Sequence, residues 1–282
     1  MSNQTIGVIG SGLMGAGIAQ ACATAGLSVI VQDIDDAALK RGITAISASL
    51  TRLVDKQKIS QAAQDGALAL IRTTTTLADL AQADFIIEAA TENLALKQKI
   101  LRDVEAIASP SCIIATNTSS VSITKLAATL QQPGRFVGMH FFNPVPVMAL
   151  VEIIRAIQTT DATFAATEAL ARRVGKTSIG VKNAPGFVVN RILCPMINEA
   201  IFVLQEGLAS PEEIDAGMKL GANHPIGPLA LADLVGLDTL LAVMNVFYAD
   251  FKDSKYRPAP LLQEMVDAGY LGRKSGRGFY AY

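Results

Sequence analysis

Two side chains in this chain are placed for proton transfer. His140 is one of only two histidines in 282 residues. It closes the apolar run Phe136-Val137-Gly138-Met139-His140, and Phe141-Phe142-Asn143-Pro144-Val145-Pro146 follows. Two prolines so close together stop a strand, so the imidazole belongs where a strand gives way to a loop. Twelve residues after His140, the apolar run Ala149-Leu150-Val151-Glu152-Ile153-Ile154 carries one acid, Glu152. A turn of this length can set the two runs side by side and place Glu152 next to His140. A histidine oriented by a carboxylate is a general base. The competing reading is a core histidine with a satisfied hydrogen bond, and what precedes His140 argues against it.

Up to about Val181 the chain alternates short β-rich runs with helical stretches. The runs are Thr5–Ile9, Ser28–Asp33, Asp84–Ala89, Cys112–Thr116, Arg135–Phe141, Leu150–Arg155 and Thr177–Val181. Several lack polar alternation, as strands covered on both faces do. This alternation predicts a Rossmann-type, doubly wound α/β sheet. After Asn183-Ala184-Pro185-Gly186 the pattern is helical: Phe187–Gly207, Pro211–Leu220, Pro228–Phe251 and a shorter stretch near Pro260–Ala268. A sheet domain over 1–184 and an all-α domain over 185–282 are expected.

The first strand runs into Gly10-Ser11-Gly12-Leu13-Met14-Gly15, which opens a helix and leads to a second strand ending in Asp33. That is the context of a dinucleotide-binding turn. Gly10 suits the tight turn, Gly12 the approach of a pyrophosphate and Gly15 close packing of helix on strand. The helix N-terminus offers amides and a positive dipole to the phosphates. Asp33 can bond both ribose hydroxyls, and with Asp35 and Asp36 it repels a 2′-phosphate. NAD is therefore the expected cofactor. A glycine-rich structural turn is the alternative.

Half of the residues are hydrophobic and 17% are charged, against about a quarter charged in an average domain. Net charge is −1, so neither nucleic acid nor an anionic membrane is an expected partner. The apolar stretch from Leu229 to Tyr248 is broken by Asp233 and Asp238 and does not read as a membrane span. A strand begins almost at the N-terminus, leaving no signal peptide, and the reading is cytoplasmic. Cys22, Cys112 and Cys194 match no metal or redox spacing and read as buried reduced thiols. No metal site is expected. The two long C-terminal helices are apolar nearly all round, which points to a homodimer, or to packing against the sheet domain.

Taken together, these motifs are similar to those of the 3-hydroxyacyl-CoA dehydrogenase family over essentially the full length. The match is carried by Gly10–Gly15, Asn117-Thr118-Ser119-Ser120, the segment from His140 to Pro146, Glu152, Pro185-Gly186-Phe187-Val188-Val189-Asn190-Arg191 and the tail Gly276-Arg277-Gly278-Phe279-Tyr280. The bacterial 3-hydroxybutyryl-CoA dehydrogenases are the nearest branch by this resemblance. It implies reversible, NAD-dependent oxidation of (S)-3-hydroxyacyl-CoA to 3-oxoacyl-CoA. His140 would be the base, Glu152 its orienting acid, and Ser119 and Asn190 would hold the reacting oxygen and the thioester. Apart from the family, Ser119 could be a helix N-cap. Pro195 should kink the helix that carries Asn190.

The resemblance also implies that Glu92, Lys97, Asn143 and Lys274 lie near NAD. Lys97 and Lys274 could equally be solvated lysines. Ser49 and Lys56, seven residues apart with Arg52 between them, share one face of a predicted helix over Asp35–Lys58. By resemblance that face borders the acyl-CoA channel. His224, in the turn Gly221-Ala222-Asn223-His224-Pro225, reads as structural. Two alternatives stand beside this function: a dehydrogenase of free hydroxy acids, and a non-enzymatic dinucleotide sensor.

Overall fold

The computed structural model describes residues 4–282. They divide into two compact units, one ending at Ala184 and the other running from Pro185 to Tyr282.

The first unit is an eight-stranded sheet with flanking helices. In chain order its elements are β1 (Thr5–Ile9), α1 (Leu13–Thr24), β2 (Ser28–Gln32), α2 (Asp36–Asp55), α3 (Gln61–Ala69), β3 (Ile71–Thr74), β4 (Phe85–Glu88), α4 (Leu94–Ile107), β5 (Ile113–Thr116), α5 (Ile123–Ala127), β6 (Phe136–Phe141), β7 (Leu150–Arg155), α6 (Asp161–Arg173) and β8 (Thr177–Lys182). The strand order is β3-β2-β1-β4-β5-β6-β7-β8. Every pairing is parallel except β6 with β7. The sheet thus reverses order after β1, and the carboxyl ends of β1 and β4 flank the crevice where ligands enter such folds. The inner strands are buried on both faces, as in Phe85–Glu88 and Phe136–Phe141, which explains their unbroken apolar sequences.

β3 is not among the runs anticipated from sequence. Its Ile-Arg-Thr-Thr sequence has two exposed residues and lies at the sheet edge, where little apolar patterning is needed.

The second unit contains α7 (Val189–Gln205), α8 (Pro211–Gly221), α9 (Pro228–Val235), α10 (Leu237–Phe251) and α11 (Pro260–Asp267). Its core gathers Ile197, Ile201, Leu229, Leu240, Met244 and Phe247. α7 runs through Pro195 as one helix. The single helix expected over Pro228–Phe251 is instead two, bent by 97°. Gly236 lies between them with φ +100°, a conformation that glycine adopts readily and other residues do not.

Two buried carboxylates tie the C-terminal tail to these helices. Asp233 accepts the amides of Phe279 and Tyr280, and Asp215 accepts those of Leu229 and Ala230. The contacts of Asp233 explain why the apolar stretch from Leu229 contains an acid at that position.

Among the described residues no single helix is long and apolar enough to cross a membrane. All three cysteines are buried and unbonded, and burial pushes each thiol up to about 12.

Candidate functional site

His140 and Glu152 are direct cross-strand partners in the antiparallel pairing of β6 with β7. Directly opposed residues project to the same face. His140 Nδ1 lies 2.8 Å from Glu152 Oε2, and the two side chains are almost wholly buried. The ring of Phe142 tilts against the imidazole with centroids 4.6 Å apart. With a carboxylate on Nδ1, proton exchange with a reactant would go through Nε2.

The glycine turn has the shape a dinucleotide requires. Gly10 adopts φ +95°, and a Cβ there would meet the Ala89 carbonyl at 2.7 Å. A Cβ at Gly15 would fall 1.9 Å from the Gly10 carbonyl, so helix and turn touch backbone to backbone. A Cβ at Gly12 would meet nothing within 4 Å, which is the open approach a pyrophosphate needs at the start of α1. Leu13 and Met14 form that helix's first turn, and Leu13 is largely exposed. Asp33 is held by three donors. Its Oδ2 accepts the amide and the hydroxyl of Ser11, each at 2.7 Å, and Oδ1 accepts the Ile34 amide. These donors fix the direction of the carboxylate. The residues present therefore fit a dinucleotide.

Glu92 and Ser119 meet in the loops that follow β4 and β5. Glu92 Oε1 accepts the Ser119 amide at 3.1 Å, and Oε2 accepts the Thr118 hydroxyl. Ser119 is not a helix cap, because Ser122 caps α5. Asn117 ties this loop to β6, its Oδ1 accepting the amide of Phe141, the residue after His140. Lys97 is 1% exposed, and its ammonium contacts Glu88 and Thr116. It is therefore not a solvated surface lysine.

Asn143 starts the turn that leaves β6. This turn, α1 and α2 enclose a cavity of about 430 Å³ whose lining includes Asn143, Arg41, Ser49 and Arg52. Lys56, the C-cap residue of α2, is exposed and outside that lining. Spacing alone does not bring out Lys176, a buried lysine whose ammonium donates to the carbonyls of Val145 and Met148. Burial lowers its pKa. It anchors the far side of the turn through Asn143.

The remaining expected residues belong to the second unit. Asn190 is the second residue of α7 and half-buried. Lys274 pairs with Asp238. Burial pushes the Asp238 carboxyl up, but Lys274 and the Thr239 amide outweigh it and hold it below its usual value. His224 lies in the loop after α8, where its amide donates to the Met218 carbonyl. Among the described residues no group of three His, Cys, Asp or Glu side chains could hold a metal ion.

Residues 5–184 match the 3-hydroxyacyl-CoA dehydrogenase NAD binding domain, and residues 186–282 match the C-terminal domain of the same family. The chain belongs to the 3-hydroxyacyl-CoA dehydrogenase family. Within that family it is 50% identical to a 3-hydroxybutyryl-CoA dehydrogenase of Bradyrhizobium diazoefficiens, over 98% of this chain and 94% of that one. A 3-hydroxybutyryl-CoA dehydrogenase of Clostridioides difficile is 47% identical over 98% of this chain and 99% of its own. The crystal structure of an (S)-3-hydroxybutyryl-CoA dehydrogenase from Ralstonia eutropha superposes with a TM-score of 0.97 at 63% identity, covering 100% of this chain and 99% of that one.

Proposed function

We infer that this dehydrogenase interconverts (S)-3-hydroxyacyl-CoA and 3-oxoacyl-CoA with NAD, and that its substrates are the short-chain pair 3-hydroxybutyryl-CoA and acetoacetyl-CoA. The observation that carries the reading is the His140–Glu152 pair, 2.8 Å apart, on the same sheet as a dinucleotide turn. When bound, NAD supplies the hydride acceptor for the substrate's C3. His140 Nε2 takes the proton of the 3-hydroxyl. Glu152 holds Nδ1–H, fixes the tautomer and stabilises the imidazolium that forms. In the reducing direction the protonated His140 returns the proton to the new alkoxide oxygen. Ser119 hydrogen-bonds the reacting substrate.

The dinucleotide lies along Gly10–Gly15, with Asp33 at the ribose. Glu92, Lys97, Ser119 and Asn143 surround its nicotinamide half, Lys97 acting from behind Glu88. The cavity lined by Ser49 and Arg52 takes the CoA arm, and Lys56 reaches its phosphates from the helix end. No acid lines this cavity, as an anionic arm requires.

NADH consumption with acetoacetyl-CoA, compared with acetoacetate, tests this assignment. Steady turnover of the thioester and little of the free acid is expected. The reverse preference would identify a free hydroxy-acid dehydrogenase, and no turnover of either would favour a dinucleotide sensor.

A homodimer built through the second unit belongs to the same reading. Its helices bury their inner faces among themselves yet leave Ile192, Leu220 and Leu234 more than half exposed, as is Leu208 in the connection after α7. Sedimentation at low micromolar concentration should give twice 29.7 kDa, and a folded, active monomer would contradict it. Three unpaired thiols suit the reducing cytoplasm. A chain active only from an oxidising compartment would contradict that placement.

A further inference from the structure

A fully buried ion pair lies behind the cofactor turn, and the mechanism above does not use its acid. Glu88, the last residue of β4, is 0% exposed, and Lys97, in the first turn of α4, is 1% exposed. Lys97 Nζ lies 2.7 Å from Glu88 Oε2. The same oxygen accepts the hydroxyl of Thr116, the last residue of β5, at 2.7 Å. Oε1 accepts the Ala90 amide at 2.9 Å. The Glu88 carbonyl accepts the Asn117 amide at 2.8 Å. One residue thus grips both loops that leave the centre of the sheet.

Each loop leads to the site. The Ala89–Ala90 backbone is the surface on which Gly10 nests, since a Cβ at Gly10 would strike Ala89 and Ala90 within 2.9 Å. Asn117-Thr118-Ser119 carries the serine, and Asn117 Oδ1 holds the amide beside His140. A buried ion pair is about neutral for stability compared with a well-packed apolar pair. An apolar pair, however, could not accept the Ala90 amide and the Thr116 hydroxyl together. That double acceptance distinguishes Glu88 from a simple core residue.

We propose that Glu88 is a positioning residue of the dinucleotide site: its carboxylate fixes the Ala89–Ala90 turn and the Asn117–Ser119 loop to one another, and Lys97 supplies its counter-charge. The proposal rests on the NAD-dependent reading above. Glutamine is its sharpest probe, because a Glu88→Gln amide must turn an N–H toward either Ala90 or the Lys97 and Thr116 donors.

The test measures NADH affinity by fluorescence titration, kcat and KM with acetoacetyl-CoA, and Tm. Glu88→Gln should weaken NADH binding and lower kcat, each by about tenfold, with KM for acetoacetyl-CoA changed by less than about threefold. The double variant Glu88→Gln/Lys97→Met removes the unpaired ammonium. It should recover Tm but not NADH affinity. Thr116→Val should show the same defect in weaker form and Thr116→Ser should be near wild type, which keeps the test decisive if Glu88→Gln does not fold. Folded variants at Glu88, or Thr116→Val, with wild-type NADH affinity and kcat would overturn the proposal and leave the pair a core contact. Wild-type protein that binds NADH but leaves acetoacetyl-CoA unreduced would instead overturn the substrate assignment, and the binding measurements on Glu88 would still decide this proposal.

Discussion

His140 and Glu152 sit opposite each other across β6 and β7, and Nδ1 and Oε2 close to 2.8 Å. The geometry of the pair is therefore set by strand register and not by flexible loops. Replacing Glu152 by Gln should lower kcat by about 10²-fold or more, the scale of losing a base's orienter. Because the two act as one unit, the His140→Gln/Glu152→Gln enzyme should be far less damaged than the product of the single effects. Steady-state kcat for the three variants gives the coupling, and simple additivity would separate the roles.

Ser11 and Asp33 predict cofactor choice. The carboxylate is held by three donors at the end of β2, where a 2′-phosphate would meet a fixed negative charge. The ratio of kcat/KM for NADH over NADPH should be about 10² or more, and Asp33→Ser should reduce it. Equal use of both cofactors by the wild type would refute the role of Asp33.

The cavity beside α2 predicts where CoA is gripped. Arg52 lines it and Lys56 does not. Arg52→Ala should raise KM for acetoacetyl-CoA by about tenfold, the scale of one charge-assisted contact, and Lys56→Ala by less. In both, kcat should hold, because a contact remote from C3 binds ground and transition states alike. The wild-type advantage should shrink as salt rises. An unchanged KM for both variants at low salt would move the CoA site elsewhere.

Tyr280 predicts the alkaline limit of the second unit. Its hydroxyl lies 2.9 Å from both Asp215 Oδ2 and the Pro211 carbonyl. Burial, then the Asp215 carboxylate, pushes its pKa far up, and Tyr282 is raised as well. An unfolded tyrosine loses its proton near pH 10, while the folded one keeps it. The tyrosine's contribution is therefore complete below about pH 10 and is lost as pH rises through the folded pKa. Urea midpoints between pH 9 and 11 should fall for the wild type and fall less steeply for Tyr280→Phe. Parallel slopes would remove Tyr280 from the transition.

Much of this was legible in the sequence because the governing signals are local. A glycine turn between strand and helix marks Gly10–Gly15, and a lone acid in an apolar run marks Glu152. The same signature occurs at Glu88, but spacing cannot show that Lys97 and Thr116 converge on it from two other elements. Lys176 and Asp215 are hidden for the same reason, since most of their partners are backbone groups 14 to 31 residues away. β3 lacks an apolar pattern because an edge strand needs little of one. The break at Gly236 is a backbone event within an unbroken apolar composition. Lys56 shares a helix face with Ser49 by periodicity, but α2 ends before it, so it is exposed where Arg52 lines the cavity.

The most direct measurement is a single turnover. Limiting NADH bound to an excess of enzyme is mixed with saturating acetoacetyl-CoA, and loss of NADH absorbance is followed for the wild type and for His140→Gln. Binding and product release do not enter this rate. The His140–Glu152 mechanism predicts rapid loss in the wild type and a rate about 10²-fold or more lower in the variant, with NADH affinity unchanged. A His140→Gln enzyme that oxidises NADH at the wild-type rate would contradict it.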